Sequence, residues 1–133
     1  MNRTYAEYLV ERMAMAWMQR DIPTIVALFT DNGVFITPGG TAHGRAAIAA
    51  AATAFFAQPV TLTVTITRVI VDGSQGTVEW TWRETNSATG ADRTMEDAII
   101  FALRDDKVAY WREYFDPTQT HALSGLVAAA SQQ

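Results

Sequence analysis

The chain has 133 residues, of which 49% are hydrophobic and 18% charged, with a net charge of −4 and no cysteine. These values describe one domain with a core of its own and exclude a disordered chain, disulfides and thiol chemistry; no stretch clusters Lys and Arg, which argues against nucleic-acid binding. The longest apolar run, residues 46–52, is too short to cross a membrane, and the polar N-terminus lacks the apolar core of a signal peptide, so no membrane is expected and the expected address is the cytoplasm.

Residues 4–19 carry Tyr8, Leu9, Met13, Met15, Ala16, Trp17 and Met18 at helical spacing, which predicts a first helix with a broad apolar stripe. Asp21 caps a second helix, with Pro23 in its first turn and Ile25, Val26, Leu28 and Phe29 on its core side; Asp31-Asn32-Gly33 ends it. Residues 34–36 are a short strand. Residues 37–44 hold Pro38, Gly39, Gly40 and Gly44 and form a loop. The alanine-rich stretch 45–57, with Ile48, Phe55 and Phe56, is the third helix.

After Pro59 the apolar period changes from about 3.6 residues to about 2. Val60, Leu62, Val64 and Ile66 alternate with threonines; Val78, Trp80 and Trp82 alternate with Glu79, Thr81 and Arg83; Met95, Ile99, Phe101 and Leu103 share a face. On the last strand Ala109, Trp111 and Phe115 take one face and Val108, Tyr110, Arg112 and Tyr114 the other. Turns fall at Asp72-Gly73, near Ala88 and at Asp105-Asp106. Helices first and an antiparallel run of strands after them predict an α+β fold: a curved antiparallel sheet wrapped round the N-terminal helices, with a cone-shaped pocket between the two layers. The domain spans residues 1–133, with its core at about 5–117 and a weakly amphipathic tail at 118–133.

Three acids interrupt apolar faces: Asp97 between Met95 and Ile99, Glu113 between Trp111 and Phe115, and Glu84 in phase with Trp80 and Trp82. Burying such a group without a partner is costly or raises its pKa, so each calls for a reason. A turn centred near Ala88 sets Trp80 across from Asp97. A loop of about three residues from Asp105 sets Arg104 across from Val108 and Ile99 across from Glu113, with Asp97 diagonal to Glu113 at about 7 Å between Cβ atoms. Asp97 and Glu113 are therefore the candidate general acid and base, in a pocket walled by Met13, Trp17, Phe35, Trp80, Trp82, Met95, Ile99, Trp111 and Phe115. In the other reading of the same pair, Arg or backbone donors hold the acids and they only shape the pocket. Glu84 and His43 are secondary candidates, as a further partner and a pocket-mouth residue; His121 lies in the tail. Two distant His and scattered acids lack metal-ligand spacing, so neither metal nor cofactor is expected. Thr61, Thr63, Thr65, Val69, Val71, Thr81, Tyr110 and Tyr114 fall on the opposite face of the sheet, where a homodimer contact is expected.

Local matches accompany this order of elements. Asp21-Ile22-Pro23 to Leu28-Phe29 with Asp31-Asn32-Gly33-Val34-Phe35, then His43-Gly44-Arg45, then Trp111-Arg112-Glu113-Tyr114-Phe115-Asp116 resemble segments of the nuclear transport factor 2-like superfamily. The last segment is similar to the final strand of limonene epoxide hydrolase and of SnoaL-like polyketide cyclases. The resemblance implies a cystatin-like α+β barrel, a homodimer, and a cofactor-independent enzyme for isomerisation, cyclisation, dehydration or water addition on a small apolar substrate. A non-catalytic ligand-binding or accessory domain of the same fold is the alternative. Val34 and Ile36 look like the positions of the hydrolase's Tyr and Asn, and Trp80 and Trp82 those of its Arg and Asp on the second long strand; only its last-strand Asp has an acidic counterpart, Glu113, so the sequence departs from the hydrolase's set. Thr37 stands where ketosteroid isomerase has its base, and Met13 and Ile99 where it has its oxyanion Tyr and Asp.

Overall fold

The structure, a computed structural model, describes residues 3–118; most of the expected C-terminal tail, with His121, lies outside the described residues. The first helix, α1 (Arg3–Met18), buries Ala6, Leu9, Val10, Met13, Ala14, Ala16 and Trp17 at helical spacing. Its apolar stripe is narrower than the sequence suggests, because Tyr8 and Met15 fall on a flank turned to solvent. Asp21 caps α2 (Ile22–Ala27) as expected: its carboxylate accepts from Thr24 N at 3.1 Å and Thr24 Oγ1 at 2.6 Å. At six residues the helix is shorter than expected. Leu28 and Phe29 have already left it, since the Leu28 carbonyl accepts from Val108 N at 2.8 Å and Phe29 opens strand β1 (Phe29–Thr37).

The expected loop after β1 is a hairpin, in which Thr37 pairs with Gly40 and the edge strand β2 (Gly40–His43) runs back along β1. A four-residue, mostly exposed strand has no hydrophobic alternation to read, which is why the sequence hides it. Helix α3 (Gly44–Phe56) follows and is anchored by Arg45, whose guanidinium donates to the Phe29 carbonyl and pairs with Asp31 at 2.8 Å. The long strands β3 (Val60–Asp72), β4 (Gln75–Asn86), β5 (Asp92–Arg104) and β6 (Lys107–Tyr114) form the expected antiparallel run.

The sheet has six strands in the order β2-β1-β6-β5-β4-β3. It is mixed, not purely antiparallel, because β1 pairs with β6 in parallel. With β2 and β3 at its edges it does not close into a barrel. Two bulges bend it and reset which residues face the core. At Thr67 the register with β4 slips by one, so Val69 and Val71 pack inward instead of lying on the outer face, and Arg68 and Ile70 take the outer positions. At Ala109 the register with β5 slips likewise, so Val108 is buried and not on the outer face as expected.

Candidate active site

The site lies where β4, β5 and β6 face α1 and α3. The pairing of β4 with β5 puts Trp80 opposite Asp97, and that of β5 with β6 puts Ile99 opposite Glu113. The last hairpin reaches this register by another route than the one expected. Its turn holds Asp105 and Asp106 alone, both at positive φ (53° and 64°), and Arg104 faces Lys107; the bulge at Ala109 supplies the extra residue that the longer loop was expected to give.

Asp97 and Glu113 are 4% and 7% exposed on a wall otherwise apolar. Each is bonded to a tryptophan: Trp80 Nε1 donates to Asp97 Oδ2 at 3.1 Å, and Trp111 Nε1 to Glu113 Oε2 at 2.9 Å. Asp97 also receives a backbone N–H from Tyr114. Asp97 Oδ1 is sealed from solvent and meets no N–H or hydroxyl donor; its polar neighbour is the Glu113 carboxyl. A proton carried by Glu113 would satisfy that oxygen. Burial, then the neighbouring Asp97 carboxyl, pushes Glu113 well above the usual glutamate range, against the Trp111 bond. Burial also raises Asp97, but the bonds from Glu113, Trp80 and Tyr114 oppose it. Asp97 thus has more donors than Glu113, which favours the proton on Glu113 and the charge on Asp97.

Arginine does not clamp the pair. Arg83 binds Asp92, Arg112 lies over the Tyr114 ring at 4.8 Å, and none of the ion pairs among the described residues includes Asp97 or Glu113. No three His, Asp or Glu side chains among the described residues converge to hold a metal.

In front of the acids is a cavity of about 390 Å³, within the range of small-molecule sites. Of the expected wall residues, Trp17, Phe35, Trp82, Met95 and Phe115 line it, as do Asp97, Glu113 and Glu84. Met13, Trp80, Ile99 and Trp111 do not: all are 0–1% exposed and form the layer behind, where Trp80 and Trp111 hold the acids. His43 is exposed, makes no side-chain capping bond and is outside the cavity, because it sits on the outer hairpin against Val34. On β1 the residues turned inward are Phe35 and Thr37, since Phe35 pairs with the buried Trp111; Val34 and Ile36, the positions matched to the hydrolase's Tyr and Asn, pair with Tyr110 and Arg112 on the other face.

Phe55, Thr37 and Arg93 also line the cavity and were missed. Arg93 stands opposite Glu84 on the rim and donates to the Pro117 carbonyl at 2.6 Å. A repeated tripeptide was the available signal: Trp-Arg-Glu occurs at 82–84 and at 111–113. In both copies the indole reaches the carboxylate two residues on, at 2.8 Å for Trp82–Glu84 and 2.9 Å for Trp111–Glu113, as same-face neighbours on a strand can.

The profile of the SnoaL-like domain matches residues 10–111 of the chain. The chain belongs to the SnoaL-like family. Solved structures agree on the fold. An epoxide hydrolase of the limonene epoxide hydrolase-like kind from M. tuberculosis is 25% identical, with 98% of each chain covered and a TM-score of 0.77. A protein with a ketosteroid isomerase-like fold from Catenulispora acidiphila is 22% identical over 88% of this chain and 92% of its own, TM-score 0.79. A putative isomerase from Bacillus subtilis is 20% identical over 94% and 96%, TM-score 0.79. No curated protein matches the sequence. No helix among the described residues of this SnoaL-like chain is long and apolar enough to cross a membrane.

Proposed function

We propose that this SnoaL-like chain is a cofactor-independent enzyme that adds water to a small apolar epoxide, with Asp97 as base and Glu113 as acid. The observation that carries this is a buried carboxyl pair, in none of the ion pairs of the described residues, set in the wall of an aromatic cavity, with burial and the second carboxyl both raising Glu113. Hydration is chosen over isomerisation, cyclisation or dehydration because the likeness to an epoxide hydrolase, 25% identical, covers 98% of this chain, against 86% for a ketosteroid isomerase-like protein of the same identity.

In the proposed step Asp97 takes a proton from water, whose oxygen forms a bond to an epoxide carbon. The carbon–oxygen bond on the far side of that carbon breaks, and the released oxygen takes the Glu113 proton. The product is a diol, with Asp97 protonated and Glu113 ionised; because the two carboxyls adjoin, the proton returns to Glu113 and the site is reset. The Thr37 hydroxyl, in the cavity wall, is a partner for the water. The test is hydrolysis of cyclohexene oxide and larger cyclic epoxides by wild type, Asp97→Asn and Glu113→Gln. Each variant is expected to lose roughly a hundredfold or more in rate. Variants as fast as wild type would end the assignment, and ligand binding without turnover of any epoxide would point to a binding domain instead.

A further inference from the structure

Three of the four tryptophans spend their indole N–H on a carboxylate: Trp80 on Asp97, Trp82 on Glu84 and Trp111 on Glu113. The fourth, Trp17, does not. Its ring is packed on four sides by Phe35 at 5.9 Å, Phe55 at 5.9 Å, Phe56 at 5.4 Å and Trp82 at 5.7 Å between centroids, and the residue is 6% exposed. Its Nε1–H donates to no acceptor among the described residues. That N–H is not sealed either, since Asp97 Oδ1 is the one closed, unpaired side-chain atom among them. Trp17 is one of the residues that line the cavity. A buried indole ordinarily finds an acceptor, and one left open to a cavity offers its donor to whatever fills that cavity.

We propose that Trp17 Nε1–H is a ligand-binding group, which selects neutral apolar molecules carrying an acceptor oxygen: a carbonyl, ether or ester. This rests on the cavity being the substrate site, as in the function proposed above, and adds the chemistry at its helix end. Trp17 meets Phe35, whose strand neighbour Trp111 holds Glu113, and Trp82, which meets the Trp80 that holds Asp97 at 6.3 Å between centroids. Along each of these paths two rings lie between Trp17 and an acid, so the oxygen it binds is not the oxygen Glu113 protonates. The substrate class is an apolar molecule with its reacting group at one end and a second acceptor oxygen at the other. A carboxylate is disfavoured by the charge on Asp97, and an ammonium group offers Trp17 nothing to accept its N–H.

Binding can be read without turnover, by the four indole Nε1–H signals in ¹H–¹⁵N NMR, with Trp17 assigned through its contacts to Phe35, Phe55 and Phe56. The probes are cyclohexanone and methylenecyclohexane, equal in shape but only the first with an acceptor oxygen. In the free protein the Trp17 N–H should exchange with water faster than the other three. Cyclohexanone should shift its signal and slow that exchange; methylenecyclohexane should not. In Trp17→Phe the preference for cyclohexanone should fall about five- to tenfold, while the affinity for methylenecyclohexane reports the packing change alone. A Trp17 signal unmoved at the highest soluble cyclohexanone concentration overturns the assignment, as does an unchanged preference in Trp17→Phe. Should Asp97→Asn and Glu113→Gln leave hydrolysis untouched while the Trp17 signal still responds, the catalytic proposal falls and the binding one stands.

Discussion

Replacing Glu113 with Gln tests whether the shared proton is real. In the native protein Glu113 sits 7% exposed beside Asp97, and both burial and that neighbour raise its pKa. The folded state therefore holds a proton that the unfolded chain releases once pH exceeds the ordinary glutamate value. A carboxyl of this sort is neutral towards stability below that value and weakens the fold as pH rises, up to its folded-state pKa, where the loss levels off. The slope approaches about 1.4 kcal/mol per pH unit for one proton. In Glu113→Gln the new side chain would keep an oxygen for the Trp111 indole, bonded at 2.9 Å in the native protein, and its amide N–H would reach Asp97 Oδ1 at every pH. The Glu113 share of the falling slope should vanish. Near and above neutrality the variant should be more stable than wild type, by about 1.4 kcal/mol for each tenfold by which the site weakens Glu113 as an acid. Urea unfolding followed by tryptophan fluorescence from pH 5 to pH 8 gives both curves. A variant weaker than wild type by about 1–3 kcal/mol at every pH would mean that Glu113 is an ionised structural acceptor, and would refute the shared proton.

Asp97→Asn should behave differently. It removes the charged acceptor of Trp80, Tyr114 N–H and Glu113, so unfolding experiments should show a loss of about 1–3 kcal/mol, and the Glu113 carboxyl, followed by ¹³C NMR, should titrate at lower pH than in wild type. The outer face of the sheet, with Ile70, Ile100 and Tyr114 at 55%, 45% and 47% exposure, is the surface we propose for a homodimer. Light scattering at micromolar concentration should give about twice the 14.6 kDa chain mass, and Ile100→Lys about one; a monomeric wild type removes the proposal. Gly76→Ala should cost about 1–3 kcal/mol in the same unfolding assay, because a Cβ there would stand 2.4 Å from the Ile70 carbonyl oxygen and 2.7 Å from the Phe101 ring. A variant as stable as wild type would contradict the packing of β3, β4 and β5 at that corner.

The acid pair was legible in the sequence because its signal is local: a carboxylate on an apolar strand face stands out wherever the sheet goes. The β4–β5 pairing was legible too, since its turn centre fixes it; β5 and β6 reach the expected pairing only because the bulge at Ala109 offsets a shorter turn. What was not legible was anything that depends on a bulge or on depth. Thr67 and Ala109 each add one residue to a strand, and nothing in their identity marks the slip; yet they decide that Val69, Val71 and Val108 point inward. Alternation correctly places Trp80, Trp82 and Trp111 on one face, but it cannot say that Trp82 fronts the cavity while Trp80 and Trp111 lie behind it.

The two Trp-Arg-Glu segments show how depth sets chemistry. Both make the same indole–carboxylate bond within 0.1 Å, at 2.8 and 2.9 Å. In the first, Glu84 is half-buried on the rim, across from the Arg93 guanidinium. In the second, Glu113 is on the central strand pair, 7% exposed in the cavity wall, with a second carboxyl as its polar neighbour. The same three side chains therefore give an acid on the open rim across from a cation in one place and, in the other, a buried acid whose pKa burial and a second carboxyl push up. Desolvation and the second carboxyl make the difference, and both are supplied by β5, on which neither tripeptide lies. A motif search would have scored the copies alike; only the strand register, which brings Asp97 to Glu113 and Arg93 to Glu84, sets them apart.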